Sequence, residues 1–433
     1  MPDRQSGDTV IAPQPGTGFI AKLRSDPMLR NPDFRRFWLS SILTNFGAQV
    51  TMLALPLCAV LLLHATPAEM GMLAAIQSLP FLLFGLPTGV LLDRKRRLPV
   101  MLLSDTMVAV ALASVPLAWW LGVLSVPWIY GVAFAIGTGY VVGGGAEQVY
   151  LTFLVGRDNL IAAHAKFAAT ESASRLLGPG IAGGLVQLLG APLAVLCNVL
   201  AFAVSIANLK RIRVREPEPH PPQTHPLHDI REGLLFVWNM PLLRTLAWIS
   251  SAWHLCFYAF TALNVLFASR VLGLSPGMMG AAHMVGGLGV LASSLMVKPM
   301  SERFGVGTTM VIGLCGSALG FALLPLIPAA GDSSMTVTMA AYALVVFWLD
   351  CGAMLFFMPY IALRQRITPD AMLGRMVSTM RCLTVATAPI GALAAGALAE
   401  QFSVRTGLGA VAASALLLAL VTVFGTRLRR AEG

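Results

Sequence analysis

Four ionisable side chains stand inside long apolar runs: Asp105, Glu147, Asp350 and Arg381. Placing a charge in hydrocarbon costs roughly 2.5–3.5 kcal/mol on insertion scales, so such residues mark a task or a partner. A low-dielectric cavity disfavours the charged form of a carboxyl, which can then take up and release a proton near neutral pH. That is the chemistry of proton coupling. Glu147 lies nine residues before the end of its run, which is about 13 Å of helix at 1.5 Å per residue. Asp350 lies deeper still. The proton-coupling candidates are therefore Glu147 and Asp350, followed by Asp105, which sits nearer a run end and within reach of neighbouring cations. The alternative for Asp350 is a permanent ion pair with Arg381. Glu171 and Arg175 are spaced i,i+4 and can neutralise each other, which makes them structural.

Uncharged polar residues share helical faces nearby. Asn45 and Gln49 are spaced i,i+4, as are His254 and Tyr258. Aromatic residues gather around the second pair: Trp253, Phe257, Phe347, Trp348, Phe356 and Phe357. With Arg381, these residues are candidates to line a cavity for a bulky, partly apolar small molecule. The competing reading for any single ring is packing between helices or against lipid. For His254 it is a neutral, hydrogen-bonded imidazole.

The elements that position these residues are membrane spans. Of 433 residues, 56% are hydrophobic and 12% charged, against about 25% charged in soluble domains. Spans of about 20 apolar residues cross the hydrocarbon, and twelve fit, from 37–63 to 404–426. Of the 30 Lys and Arg, 26 fall in the two tails and the alternate turns on one side. That bias puts both termini in the cytoplasm. The expected organisation is a cytoplasmic tail (1–36), a six-helix bundle (37–209), a cytoplasmic linker with an interfacial helix (210–241), a second six-helix bundle (242–427) and a short tail (428–433). The fold class is all-α integral membrane. The first tail lacks the apolar core of a secretory signal, so cleavage is not expected.

The two halves look related. Pro32 and Arg35 recur as Pro241 and Arg244, Asp93-Arg94 as Glu302-Arg303, Asp158 as Asp370 and Pro179 as Pro389, at offsets of 209 to 212. Constant offsets at matching places argue for a duplicated unit, the architecture of secondary transporters. Between the second and third spans runs GVLLDRKRR. A carboxylate beside guanidinium groups at a helix end can form charge-assisted pairs with a neighbouring helix end. Such pairs can break and reform when two bundles rock. Gly89, Asp93, Arg94, Arg97 and the copy at Glu302 and Arg303 are thus candidates for a conformational latch. The plainer alternative is that the cations only anchor topology.

GVLLDRKRR resembles the signature loop of the major facilitator superfamily, matching it at Gly89, Asp93, Arg94 and Arg97 and departing from it at Arg96, where the family has glycine. Span count, paired halves and central linker are similar to that superfamily over residues 34 to 427. Three stretches look like its drug:proton antiporter type 3 group, which includes macrolide-efflux and enterobactin-exporter proteins. They are IREGLLFVWNMPLLR, GPGIAGG and TPDAMLGRMVS. The resemblance implies twelve helices in two pseudo-symmetric bundles, with the first, fourth, seventh and tenth lining a central cavity. It also implies that Gly178, Pro179 and Gly183 form an antiporter-type helix motif, with export in exchange for a cation. A plain packing role for those small residues is the alternative.

Other classes find little support. No GxxxxGK[ST] loop is present, so ATP drive is not indicated. No nucleophile set can be placed, and an enzyme is not expected. The net charge of +10 forms no basic face with interleaved aromatics, so nucleic acid is not an expected partner. Cys58, Cys197, Cys256, Cys315, Cys351 and Cys382 all lie in apolar runs without metal-ligand spacing. His220, His225 and His228 fall in the Pro-rich linker and read as surface histidines. No metal and no cofactor are expected. The expected partners are a small-molecule cargo, protons and the lipid bilayer. The expected protein is a monomer spanning a bacterial-type inner membrane. The leading function is proton-coupled export of a bulky amphiphile, drug or siderophore-like, by alternating access. The alternatives are an uncoupled facilitator or importer, or a non-transporting receptor or scaffold.

Overall fold

The computed structural model describes residues 27–156, 159–214, 216, 226–329, 331–332, 334–369, 372–426 and 428. Among them there is no strand, and twelve long helices follow one another. In the first half these are α1 (Pro32–Leu57), α2 (Pro67–Arg94), α3 (Arg97–Trp120), α4 (Val126–Val155), α5 (Leu160–Leu189) and α6 (Ala191–Lys210). The second half holds α7 (Pro241–Leu266), α8 (Pro276–Phe304), α9 (Val306–Leu323), α10 (Met335–Arg366), α11 in two pieces (Leu373–Val385 and Ala388–Gln401) and α12 (Val404–Gly425). Eleven are long and apolar enough to cross a membrane. The twelfth, α5, has 30 residues but carries His164, Lys166, Glu171 and Arg175, which lower its hydropathy.

Local chemistry sets the helix starts. Asn31 accepts from the amides of Asp33 and Phe34, with Pro32 at the first helical position. Thr66 and Glu69 form a reciprocal capping box ahead of α2. Ser275, Ser334 and Ser403 cap α8, α10 and α12. The sequence expected α11 to run unbroken over 375–399, but it breaks at Ala386–Thr387. Pro389 sits just inside the second piece, where its missing N–H leaves no helical bond to lose. The linker carries a helix over Pro226–Asn239 that packs on α11. His220 and His225, the side chain of His228, and Asp158 and Asp370 lie outside the described residues.

The duplication is visible in the backbone. α1 ends in a π-helical turn at Cys58–Leu62, and α7 ends in one at Phe267–Val271, 209 residues later. The halves meet where α2 crosses α11 and α5 crosses α8. At the first crossing, a Cβ on Gly71 would come within 2.7 Å of the Ala392 carbonyl, and one on Gly396 within 2.8 Å of the Pro67 carbonyl. At the second, a Cβ on Gly183 would lie 2.5 Å from the Pro276 carbonyl, and one on Gly280 2.4 Å from that of Pro179. Only glycine allows backbones this close, and dispersion then acts over the whole crossing. Two capping bonds repeat the same symmetry. Glu400 accepts from the Ala68 amide at 3.2 Å, and Gln187 from the Gly277 amide at 3.3 Å. Each oxygen satisfies an orphan donor at the positive end of a helix from the other half. All four contacts lie at the end opposite the start of α1 and the end of α12, where they hold the halves together.

Gly280→Val should force this seam apart, at about the 1–3 kcal/mol typical of overpacking. Gly89→Val meets nothing within 4 Å and should leave the melting point unchanged. Thermal unfolding of the two purified variants against wild type checks this contrast.

Candidate functional site

Directly beneath the crossings lies a cavity of about 360 Å³. Its wall comes from both halves: Gln49 and Thr51 of α1, Gln77, Ser78 and Phe81 of α2, Tyr140 of α4, Phe257, Tyr258 and Thr261 of α7, and His283 of α8 among others. Gln49 reaches its place because Gly178 of α5 has no side chain. A Cβ there would lie 2.5 Å from the Gln49 Cγ. Pro179 also lines the cavity, and Gly183 sits in the seam. At the α7–α8 wall, Tyr342 donates to Asn264 Oδ1 at 2.7 Å, Asn264 donates to His283 Nε2 at 3.3 Å, and His283 Nδ1 donates to the Met279 carbonyl at 2.9 Å. That chain assigns His283 as a neutral imidazole, with one nitrogen accepting and the other donating.

A second pocket, of about 140 Å³, lies within the first half between α1, α3, α4 and α6. It brings Asp105 and Glu147 together with Asn45, Ser40, Ser41 and Thr44. Ser205 donates to Asp105 Oδ2 at 3.1 Å and is itself joined to Ser40 by a short hydroxyl bond. Asn45 donates to Ser41 at 3.2 Å, and the Ser41 hydroxyl bonds to Glu147. The charge of Glu147 acts on Asp105, and that of Glu171 on α5 acts on Glu147. Phe37, Met101, Val108 and Phe202 supply the apolar remainder of the wall.

The other candidates are dispersed. Asp350 lines neither pocket. It faces α8, where a Cβ on Gly286 would come within 2.5 Å of Asp350 Oδ2. The charge acting on it is Arg175 of α5 rather than Arg381. Arg175 itself is paired with Glu171 at 2.8 Å, both side chains about half exposed. His254 packs among Trp253, Phe357 and Tyr258, with Nδ1 2.8 Å from the Ser250 carbonyl. Trp253 is buried and donates to Ser317 at 2.7 Å, and Phe356 is buried too, so these two rings are core. Trp348 is exposed. Arg381 is not part of the cavity wall; it stands over the ring of Phe81, which is, at 5.4 Å.

In the signature loop, Arg97 bonds to Glu216 of the linker at 3.1 Å, and the other Glu216 oxygen accepts from the Arg97 and Leu98 amides at 2.6 and 3.3 Å. The linker thus caps α3. Gly89 and Arg94 are exposed, and the side chain of Asp93 lies outside the described residues. Glu302 pairs loosely with Lys298 at 3.9 Å, and Arg303 stands over Phe304 at 5.3 Å. Each of these contacts stays within its own half or the linker.

The profile of the Major Facilitator Superfamily matches residues 37–383 and 261–433. The chain belongs to this superfamily. Among curated proteins it is 28% identical over 406 residues to the multidrug efflux pump Tap of Mycolicibacterium fortuitum, covering 91% of this chain and 95% of Tap. It is 26% identical over 374 residues to the enterobactin exporter EntS of Shigella flexneri, covering 86% of each. Among solved structures, the nucleoside transporter NupG superposes with a TM-score of 0.73 at 13% identity, covering 91% of this chain and 98% of that one. A bacterial homologue of the iron transporter ferroportin gives 0.68 at 16% identity, over 92% and 99%. The fold and family are those of multi-pass membrane transporters of small molecules.

Several residues that build the site of this superfamily member gave no distinctive signal in the sequence. Tyr140 is one aromatic in a glycine-rich run, and Ser40, Ser41 and Ser205 are ordinary intramembrane hydroxyls. Gln187 and Glu400 lie in the last turns of their helices, 213 residues apart, and neither stands out in the sequence. Glu216 falls in a Pro-rich stretch that reads as extended.

Glu216→Ala removes three hydrogen bonds and strips a half-buried guanidinium of its partner. A loss of about 1–3 kcal/mol is expected, as for charged hydrogen-bond partners left unsatisfied. Glu302→Ala breaks only an exposed pair and should cost under about 0.5 kcal/mol. Chemical or thermal unfolding in detergent measures both.

Proposed function

We propose that the chain is a proton-coupled exporter of bulky amphiphilic molecules in a bacterial cytoplasmic membrane, with both termini in the cytoplasm. One observation carries this reading: a cavity walled by both halves and closed at one end abuts a pocket holding two carboxyls. The placement supports alternating access, in which the halves rock about the cavity and expose it to either face. With the termini inside, the closed end is the outer one, and this conformation faces the cytoplasm. The names of two relatives, a multidrug efflux pump and an enterobactin exporter, support export and an amphiphilic cargo.

Glu147 is the group that takes and gives up the proton. Its neutral form is compatible with the apolar wall around it. Its ionised form has as donor the hydroxyl of Ser41, itself on α1, which in turn accepts from Asn45 of the same helix. Release of the proton therefore changes the force on a helix that also lines the cargo cavity. Asp105 has its own donor in Ser205 and shares the pocket, so the two carboxyls resist being ionised together. Asp350, facing α8 and Arg175, is assigned to the contact between halves rather than to the proton.

In proteoliposomes with an imposed proton gradient, Glu147→Gln should abolish gradient-driven accumulation of N-phenyl-1-naphthylamine while the protein remains folded by circular dichroism. Asp105→Asn should slow it without abolishing it. Full gradient-driven transport by Glu147→Gln would remove this residue from the mechanism.

A further inference from the structure

The positions of the charges relative to the two pockets carry a conclusion about the cargo. None of the residues lining the central cavity is Asp, Glu, Lys or Arg. Its one imidazole, His283, is held neutral by the chain of bonds through Asn264 and Tyr342. Both proton-site carboxyls lie behind α1, in the smaller pocket, and the two pockets share only Ala48 and Tyr140 as common wall. Asp350 faces α8. One full charge stands just behind the wall: Arg381, over the ring of the lining residue Phe81, and among the described residues no carboxylate pairs with it.

We propose that cargo and proton occupy separate pockets, and that the central cavity takes an aromatic amphiphile that is neutral or singly anionic, with Arg381 setting the charge preference. The word cargo rests on the transport reading above; the binding preference does not depend on coupling.

The physical argument is desolvation. A cation entering the cavity sheds its water and finds no counter-charge, while a guanidinium just behind the wall repels it. The ring best placed to compensate by a cation–π contact, Phe81, already has Arg381 over its face. A neutral amphiphile loses nothing of this kind. Its rings meet Phe257, Tyr258 and Met52, and its polar atoms meet the amides of Gln49 and Gln77. An anion gains a charge-assisted bond from a guanidinium that has no carboxylate to give up. Cargo and proton then do not compete for one carboxylate. They influence each other through α1 and Tyr140, the wall between them.

The test is equilibrium binding to the full-length protein in nanodiscs, corrected for protein-free nanodiscs, with three aromatic probes: N-phenyl-1-naphthylamine (neutral), 8-anilinonaphthalene-1-sulfonate (anionic) and ethidium (cationic). Saturable binding of the first two is expected, with ethidium weaker by at least about tenfold, as for one charged interaction lost. Arg381→Gln should weaken the sulfonate by about tenfold more than the neutral probe, and Arg381→Lys should restore most of that preference. The neutral probe reports whether each variant is folded. Ethidium binding as tightly as the neutral probe, saturable binding of neither expected probe, or an unchanged sulfonate preference in Arg381→Gln would each overturn the proposal. A failure of Glu147→Gln to uncouple transport would instead strike the proton assignment and leave this selectivity standing.

Discussion

The structure depends on the approach of helix backbones at two glycine pairs, Gly71 with Gly396 and Gly183 with Gly280. In a bilayer the hydrophobic effect does little to hold one helix against another, because lipid tails are as apolar as the helices. Close packing and polar contacts must do it instead. Here both are used at the same place. The glycines bring carbonyls and α-carbons into contact, and Glu400 and Gln187 then reach the N-terminal amides of α2 and α8. The two crossings are copies of one another, since Gly71 and Gly280 are 209 residues apart and Gly183 and Gly396 are 213 apart. The halves are thus joined by a symmetric pair of seams, with the cavity between them.

A symmetric seam is suited to motion. The capping oxygens and the glycine contacts can release together if the halves tilt, since all lie within the first or last two turns of their helices. The charged loop at the other end behaves differently in this conformation. Arg97 is held by the linker through Glu216, and the copy at Glu302 and Arg303 makes only local contacts. The linker is fastened at both ends, by Glu216 to α3 and by Glu232 to Arg375 of α11 at 2.7 Å. It couples the two bundles on the side where they do not meet through glycine.

Much of this was legible in the sequence. Twelve runs, the repeat and the signature loop follow from hydropathy, spacing and charge, which are local properties. Glu147 could be picked out because an acid in an apolar run is costly wherever it points. What the sequence left open was direction. Asp350 reads as deeper than Glu147, yet its place on α10 aims it at Gly286 and at neither pocket. His254 and Tyr258 share a face by spacing, but only Tyr258 reaches the cavity, while His254 packs edge-on against Trp253 and Phe357. Asp105 read as a peripheral residue near the loop cations. It faces Glu147 because α3 packs against α4 and α6, a contact no local pattern encodes. Of the seam glycines only Gly183 stood out in the sequence, within GPGIAGG; that it packs on Gly280, and that Gly71 and Gly396 repeat this contact, did not.

The account stands on a link between the proton on Glu147 and the opening of the glycine seam. Pulsed electron paramagnetic resonance tests that link directly, using spin labels at Val123→Cys and Phe402→Cys, two exposed positions at the closed end of opposite halves, with the native cysteines replaced. In the wild-type background the distance distribution should differ between about pH 6 and about pH 8.5, since raising the pH favours release of a carboxyl proton. With Glu147→Gln it should be the same at both. A Glu147→Gln protein whose distribution shifts with pH as the wild type does would contradict the account.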